Sequence, residues 1–321
     1  MRTLSYDELT PGLHQDRALV HLAAFGGIAS PRSIDELRRR SNRLAEYVGM
    51  FAVEDDRVIG QVFVERLPYE FPDGPALLTG IAAVATRPDR RRAGVARTLL
   101  AEVLARERAE GREHAVLWTD RSWVAHALYE RLGFRDVYSP PWVVGAPPRV
   151  PGSSVPVEGI RPATAEDCDA LEELHDRACS ERLGFRRRPR GSLSAWAAAG
   201  RIDPSATLRI VSRGGRLAGY AHLDRAPSRV VCGELVALSS SARRDLLREV
   251  GRSAEGRPVA FQHTLVTDDP HLLARRGSVD SPVSGRVLMA ARLGRAWSSS
   301  EAIGKFATDD PRFVCLAGDR F

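Results

Sequence analysis

The chain has 321 residues, of which 43% are hydrophobic and 27% are charged. This composition indicates a globular protein, and the length favours two domains over one. The formal net charge is +6, but the arginine runs are short and scattered and only 7% of the residues are aromatic, which argues against a nucleic-acid-binding surface.

The start of the chain and its cysteines point to the cytoplasm. The first residues, Met1 to Asp7, lack the apolar core of a signal peptide, and no apolar run approaches the roughly 20 residues that cross a bilayer. The four cysteines lie far apart, and neither they nor the eight histidines show metal-ligand spacing. We therefore expect a cytoplasmic protein with reduced thiols, no metal and no membrane partner.

Strands and a helix are predicted in the first third of the chain. Residues 51–60 are typical of a strand, a turn and a strand, and residues 77–86 are typical of a buried strand. The apolar residues that follow recur at the spacing of one helix face: Val95, Leu99, Leu100, Val103 and Leu104. The strand and this helix are joined by a turn of small and basic residues, 88–96.

This turn has the chemistry of a phosphate site. Three arginines, at 90–92, lie directly before Gly94 and the start of the helix. The first N–H groups of a helix have no intrahelical partner, and the helix dipole is positive there. Ala93, Gly94 and Ala96 leave room for a ligand to reach the backbone. The turn therefore predicts a diphosphate site, although it matches neither a Walker loop nor the three-glycine dinucleotide fingerprint.

Two motifs together resemble one family. Arg91-x-x-Gly94-x-Ala96 is similar to the Arg/Gln-x-x-Gly-x-Gly/Ala signature of the GNAT acetyltransferases. After a predicted strand at 115–119, residues 128–134 (Leu-Tyr-Glu-Arg-Leu-Gly-Phe) are similar to the Leu-Tyr-x-x-x-Gly-Phe segment that closes this family's domain. Because order and spacing agree, the chain is identified as a member of that family.

The resemblance implies that acetyl-CoA is the co-substrate. It implies that the pyrophosphate binds the amides of the turn and that pantetheine pairs with the backbone of the strand before it. The cofactor-binding residues implied in this way are Val84, Ala85, Thr86, Arg91, Arg92, Ala93, Gly94, Val95, Ala96 and Arg97. Ser122 stands where the family often has asparagine and is expected to add a polar contact.

Acetyl transfer to an amine needs an oxyanion donor, a base for the amine and an acid for the leaving thiolate. The resemblance places the Tyr129 phenol beside the leaving sulfur, so Tyr129 is the predicted acid; the alternative is a core tyrosine packed on the sheet. The strand backbone near Val84 is the predicted oxyanion donor. Glu65, Glu70 and Asp120 lie near the predicted site, but the central strand carries no acidic residue, and Asp120 alternatively caps the next helix.

The acceptor is expected to be an amine of a small molecule or a peptide. Its pocket is expected between the sheet and residues 28–46, together with the loop at 69–73. Asp73 in that loop is a candidate for attracting a cationic amine, or is simply solvated. His126, one helical turn before Tyr129, is interpreted as a surface or shape residue.

A second, degenerate copy follows a linker. Residues 145–156 are rich in Pro, Gly and Ser, which is typical of a linker. Beyond it, 209–219 matches 51–60, and 272–280 matches 128–136. The turn of the second copy, at 238–242, has neither glycine nor arginine, and Leu273 replaces Tyr129. The second copy is therefore predicted to keep the strands and to lose the phosphate site.

The last residues form a predicted tail from about Arg295. Ser298 is a predicted N-cap of a short helix, and a strand is predicted at 313–316. An active copy, a degenerate copy and a tail resemble the enhanced-intracellular-survival acetyltransferases, although those relatives have a full third domain. In that group the last residue returns to the active site, which implies the terminal carboxylate of Phe321 as the base; the alternative is an ordinary frayed terminus.

The predicted fold is α/β (α+β): two tandem GNAT folds, each a mixed, mostly antiparallel twisted sheet flanked by helices. The predicted domains are a catalytic domain at 1–145, a linker at 146–156, a degenerate domain at 157–294 and a tail at 295–321. The predicted function is an acetyl-CoA-dependent N-acetyltransferase that works by direct attack in a ternary complex. A non-enzymatic CoA-binding module and a mycothiol-synthase-like enzyme stay open, as does a homo-oligomer.

Overall fold

The computed structural model describes residues 1–27, 30–140, 142–146, 158–262, 279–281 and 285–315. In these residues the chain forms two compact units. The first contains residues 1–138 and 286–309, and the second contains residues 139–285 and the described residues from Asp310 onward. The predicted α/β class is confirmed, because each unit has a mixed, mostly antiparallel sheet flanked by helices.

The first unit is built on one sheet. Its strands are β1 (Arg2–Ser5), β2 (Leu44–Glu54), β3 (Arg57–Phe71), β4 (Gly74–Thr86), β5 (His114–Asp120), β6 (Arg135–Tyr138) and β15 (Arg286–Arg292). Its helices are α1 (Pro11–Phe25), α2 (Pro31–Arg40), α3 (Val95–Ala109), α4 (Val124–Arg131) and α9 (Ser299–Phe306). The strand order is β1-β2-β3-β4-β5-β15-β6. Among the described residues of these strands, β4 and β5 pair in parallel and the other neighbours pair antiparallel.

The predicted helix face of α3 forms the centre of the first core. Val95, Leu99, Leu100 and Val103 are buried against the sheet, and Leu104 is half-buried beside them. Gly60 of β3 allows this close packing, because a Cβ there would lie 2.5 Å from Val95 Cγ1. The start of α3 is therefore held directly against the strand.

The second unit repeats this plan. Its strands are β7 (Trp142–Gly145), β8 (Ile160–Pro162), β9 (Leu183–Gly184), β10 (Leu208–Arg213), β11 (Arg216–Ala226), β12 (Arg229–Ala237), β13 (Val259–Gln262), β14 (Val279–Ser281) and β16 (Phe313–Val314). Its helices are α5 (Cys168–Ala178), α6 (Ser192–Ala198), α7 (Pro204–Thr207) and α8 (Ser240–Ala254). The main sheet has the order β14-β7-β13-β12-β11-β10-β8, and β9 pairs with β16.

The predicted tandem duplication is confirmed in the strands that the structure describes. Residues 51–60 and 209–219 form the same hairpin, β2–β3 in one sheet and β10–β11 in the other. Gly219 repeats the role of Gly60, because a Cβ there would lie 3.0 Å from Leu246 Cδ1 of α8. Of the other matched segment, residues 272–278, with Leu273, lie outside the described residues.

The compact units differ from the predicted domains at two strands. Trp142–Gly145, predicted to close the first domain, pairs with β13 and β14 in the second sheet. Arg286–Arg292, predicted in the second domain, lies between β5 and β6 in the first sheet. Residues 287–291 are all buried, so both faces of the sheet are covered at this strand. The first sheet is thus completed by chain that follows the second unit in sequence.

The tail contains the predicted helix, which covers one end of the first sheet. Ser298 caps α9 by accepting the N–H of Glu301 at 3.2 Å. The Tyr69 hydroxyl donates to the Phe306 carbonyl oxygen at 2.6 Å. The rings of Phe71 and His114 lie 5.2 and 5.9 Å from that of Phe306. The segment 69–73, expected as a loop, is therefore strand up to Phe71 and a two-residue turn before β4, and its strand part packs against α9.

A fragment of residues 1–145 tests the position of β15. This fragment lacks β15 and α9, so β5 loses its antiparallel partner and the buried aromatic cluster is exposed. We expect no cooperative thermal unfolding of the fragment by circular dichroism. Residues 1–138 joined to 286–309 by a short Gly-Ser linker should unfold cooperatively. Cooperative unfolding of the first fragment alone would contradict the observed pairing.

Candidate functional site

The two central strands of the first sheet part beside the start of α3. β4 and β5 pair in parallel from Thr79 with Ala115 to Ile81 with Leu117. β4 nevertheless continues to Thr86, and β5 to Asp120. Beyond Ile81, the edge of β4 that faces β5 has no strand partner in the described part of the chain. Such an edge offers backbone hydrogen bonds to an extended ligand.

A β-bulge lies in β4 at this gap. The register shifts between Gln61 and Phe63 of β3, so that Ala83 and Val84 of β4 together oppose one residue. Ala83 has a φ of +48°, in the left-handed region that an alanine seldom adopts. The bulge therefore holds the backbone in a strained conformation where the two strands separate.

The backbone of Thr86 faces the gap. The Arg87 N–H donates to the Ile59 carbonyl oxygen at 2.9 Å, so the adjacent pair, Gly60 with Thr86, is a non-hydrogen-bonded pair of the antiparallel ladder. The N–H and C=O of Thr86 consequently point away from β3 and toward the gap. The residues predicted to hold pantetheine thus include one whose polar backbone groups are oriented for it.

The start of α3 presents unpartnered amides. Gly94 has a φ of +82° and brings no capping side chain, and Arg92 also has a positive φ of +64°. The Thr98 N–H donates to the Gly94 carbonyl oxygen at 3.0 Å, so the N–H groups of 95–97 precede the first helical bond. Successive amides in such alternating conformations form a concave anion site. We call residues 91–97 the anion cradle.

Two of the three predicted phosphate-binding arginines belong to the cradle and are exposed. Arg91 and Arg92, with Arg97, make no hydrogen bond or ion pair to any residue that the structure describes. Arg90 instead forms an ion pair of 2.9 Å with Glu54. The cradle therefore combines helix amides with three uncompensated positive charges.

The corresponding turn of the second unit is closed by its own side chain. Ser239 caps α8, and its hydroxyl oxygen accepts the N–H of Ala242 at 3.2 Å. One of the helix amides that α3 leaves open is thus already bonded in α8. This cap agrees with the prediction that the second copy, whose turn has neither glycine nor arginine, loses the phosphate site.

Tyr129 lies on α4 in the same apolar cluster as the start of α3. Its side chain is 6% exposed, and the cluster also contains Val95 and packs against Val84. Burial raises the pKa of the Tyr129 phenol to about 12, so the group stays protonated at neutral pH. Its hydroxyl makes no hydrogen bond within the described residues. The structure thus places Tyr129 in the core, on the side of the sheet covered by α3.

Ser122 and Asp120 bind each other. The Asp120 carboxylate accepts the Ser122 N–H at 2.9 Å and the Ser122 hydroxyl at 2.6 Å. These hydrogen bonds lower the pKa of Asp120. Asp120 therefore holds the turn before α4, and the Ser122 hydroxyl donates to a carboxylate within the protein. It does not cap the helix, as the alternative raised from the sequence had it, because α4 begins at Val124 with Trp123 as its N-cap and without a side-chain cap.

The other carboxylates near the site also have partners. Glu65 forms a buried ion pair with Arg43, and Asp73 one of 2.7 Å with Lys305. His126 Nε2 lies 2.9 Å from Asp136 Oδ1. Phe321 and Ile28, in contrast, lie outside the described residues.

Two buried polar side chains were missed by the sequence analysis. Gln61 of β3 donates from Nε2 to the Ala83 carbonyl oxygen at 3.0 Å. Glu107 of α3 accepts hydrogen bonds from Tyr47, Arg66 and Thr79. The available signal was a polar residue at an apolar position of the pattern: Gln61 interrupts an apolar strand, and Glu107 continues the buried face of α3.

The described residues contain no helix with the length and apolarity to cross a membrane. Within the same residues, no group of three or more histidine, cysteine, aspartate or glutamate side chains is placed to hold a metal ion.

The chain is similar to known acetyltransferases. Residues 5–137 match the model of the acetyltransferase (GNAT) domain family. A GCN5-related N-acetyltransferase from Kribbella flavida is 20% identical with a TM-score of 0.64, covering 90% of this chain and 70% of that one. Eis1 from Mycobacterium abscessus is 17% identical with a TM-score of 0.61, covering 92% and 74%. These likenesses show a shared fold. A sequence search of curated proteins found no match.

The pKa of Tyr129 predicts a loss of stability at alkaline pH. An unfolded tyrosine titrates near pH 10 and the folded one near 12, so the folded state holds the proton more tightly and the free energy of unfolding falls as pH rises above 10. Tyr129→Phe removes this loss. In denaturant unfolding, the variant should gain about 1 kcal/mol on the unaltered protein between pH 9 and 11. A constant difference over that range would contradict the assignment.

Proposed function

We propose, from the premise that residues 5–137 form an acetyltransferase (GNAT) domain, that the protein transfers an acetyl group from acetyl-CoA to an amine by direct attack in a ternary complex. The observation that carries the proposal is the position of the cradle beside the gap between β4 and β5. A charged diphosphate and an extended amide chain are joined in one molecule, CoA, and the chain offers a matching surface for each.

The cradle is proposed to bind the pyrophosphate. The N–H groups of 95–97 donate to the phosphate oxygens, and Arg91, Arg92 and Arg97 balance their charge. The backbone at Val84–Thr86 is proposed to pair with pantetheine, because the Thr86 N–H and C=O face the gap. Together these contacts hold the thioester at the point where the strands part.

The reaction balances with one proton transferred from amine to thiol. The amine nitrogen attacks the thioester carbonyl, the carbon–sulfur bond breaks, and the proton lost by the amine ends on the CoA sulfur. The Val84 N–H is proposed to donate to the oxyanion. The Tyr129 phenol is proposed to donate to the leaving sulfur. Because its pKa of about 12 exceeds that of a thiol, near 8.5, this donation is a hydrogen bond that strengthens as charge develops.

The base is not among the carboxylates bound by partners. Glu65 is paired with Arg43, Asp120 is bonded to Ser122, and Glu70 is not without a partner either. The terminal carboxylate of Phe321, implied by the family resemblance, therefore stays our proposal for the base. The cap at Ser239 argues against a mycothiol-synthase-like reaction in the second unit. The predicted cytoplasmic location and homo-oligomer stay predictions.

Gly94→Glu tests the cradle. A carboxylate at this position would repel the phosphates and fill the approach to the helix amides, so the KM for acetyl-CoA should rise at least about tenfold. The matched control is Gly111→Glu, just beyond the other end of α3, where the glycine has the same φ of +82° and equal free space. The control should change KM less than about twofold. Equal KM values for both variants, measured by thiol release, would show that the cradle is misplaced.

Tyr129→Phe tests the proposed acid. Loss of the phenol hydroxyl should lower kcat by roughly 10- to 1000-fold and leave the Kd for CoA nearly unchanged. Tyr220→Phe, which removes a buried tyrosine hydroxyl bonded to Glu234 in the second unit, is the matched control and should keep kcat. An unchanged kcat for Tyr129→Phe would exclude the role. Absence of turnover by the unaltered protein over a broad amine panel, with CoA still bound, would favour the CoA-binding module.

A further inference from the structure

The side chain of Gln61 forms a hydrogen bond to the backbone of the bulge in β4. The residue is fully buried in β3, and its Nε2 lies 3.0 Å from the Ala83 carbonyl oxygen and 2.9 Å from His21 Nδ1. A carbonyl oxygen only accepts, so the carboxamide nitrogen, not its oxygen, faces Ala83. Both hydrogens of that nitrogen then have acceptors, and His21 Nδ1 is the second one.

This arrangement has an energetic cost. The Gln61 Oε1 is sealed from solvent and has no hydrogen-bond partner in the described part of the chain. A buried acceptor without a partner disfavours the folded state, whereas a leucine or methionine would fill this apolar position without that penalty. The hydrogen bonds that Nε2 donates to Ala83 and His21 therefore distinguish glutamine here from an ordinary core residue.

The bond fixes the direction of the next amide. The C=O of Ala83 and the N–H of Val84 belong to one peptide plane, and in a trans peptide they point in opposite directions. By holding the Ala83 oxygen toward β3 and α1, Gln61 directs the Val84 N–H to the other side. Ala83 has a positive φ, so its backbone does not adopt the usual conformation of a strand residue and gains from being held by this hydrogen bond.

The second unit supports the connection. Tyr220 takes the place of Gln61, since it follows Gly219 as Gln61 follows Gly60. Its hydroxyl donates to the Glu234 carboxylate at 2.9 Å. The register shift of that sheet lies between His222 and Leu223, after residues 220–222, which correspond to the shift at 61–63 in the first unit. The unit whose turn is capped thus lacks both the carboxamide and the bulge at this position.

We propose that Gln61 is a positioning residue for acyl transfer: through the Ala83 carbonyl it aims the Val84 N–H at the thioester oxygen. This inference rests on the proposed function. An amide aimed at the oxyanion acts in the transition state more than in the bound ground state, so its misdirection lowers kcat and leaves the binding of the CoA moiety unchanged.

The test compares Gln61→Leu and Gln61→Met with the unaltered full-length protein. Both variants keep an apolar group of similar size and remove the donor. Thr79→Val is the matched control, because it also removes a buried polar group from the central sheet, one bonded to Glu107 at 2.5 Å and placed before the bulge on β4. Each protein is measured for kcat, for KM with acetyl-CoA, for Kd with CoA by calorimetry, and for Tm.

We expect kcat to fall about 10- to 100-fold in the Gln61 variants, with KM and Kd within about threefold, and kcat to be unchanged in Thr79→Val. An unchanged kcat in a folded Gln61 variant would overturn the inference. A parallel loss in kcat, binding and Tm, or failure of both variants to fold, would assign Gln61 to the core alone and also overturn it. The proposed function is judged separately, because absence of turnover by the unaltered protein would refute it whatever the variants show.

Discussion

The parting of β4 and β5 beside the uncapped start of α3 is the constraint on which the rest of the site depends. Pairing ends at Ile81 with Leu117, and from there the edge of β4 that faces β5 has no strand partner among the described residues. Gly60 lets Val95 pack directly on the sheet, which brings the helix amides next to that edge. The proposed phosphate site and the proposed backbone-pairing site thereby lie next to each other.

The two units use the same plan in opposite ways. α3 begins at Gly94 without a cap, whereas Ser239 caps α8. Tyr220 takes the place of Gln61 and donates to Glu234, which also forms an ion pair with Arg188. The positive charge of Arg188 lowers the pKa of Glu234. A buried ion pair that loses one partner leaves an uncompensated charge. In the second unit this polar network connects β11 and β12 with the segment that carries Arg188. At the corresponding place the first unit has the bulge in β4.

The features of the structure that depend on local sequence pattern were predicted from the sequence. The helix face from Val95 to Leu104, the turn at Gly94, the repeated hairpin and the cap at Ser298 all follow from spacing and residue type, and the structure has each of them. The sequence did not predict the placement of 142–145 and 286–292, because two short apolar strands carry no mark of which sheet they join. Nor did it identify Gln61, whose importance comes from a left-handed residue on the neighbouring strand.

A crystal structure of the protein grown with CoA would test the central claim most directly. The account predicts the pyrophosphate on the amides of 95–97 and the pantetheine chain in the gap, hydrogen-bonded to the backbone of Thr86. CoA bound away from α3, or a gap that stays empty with CoA bound elsewhere, would contradict it.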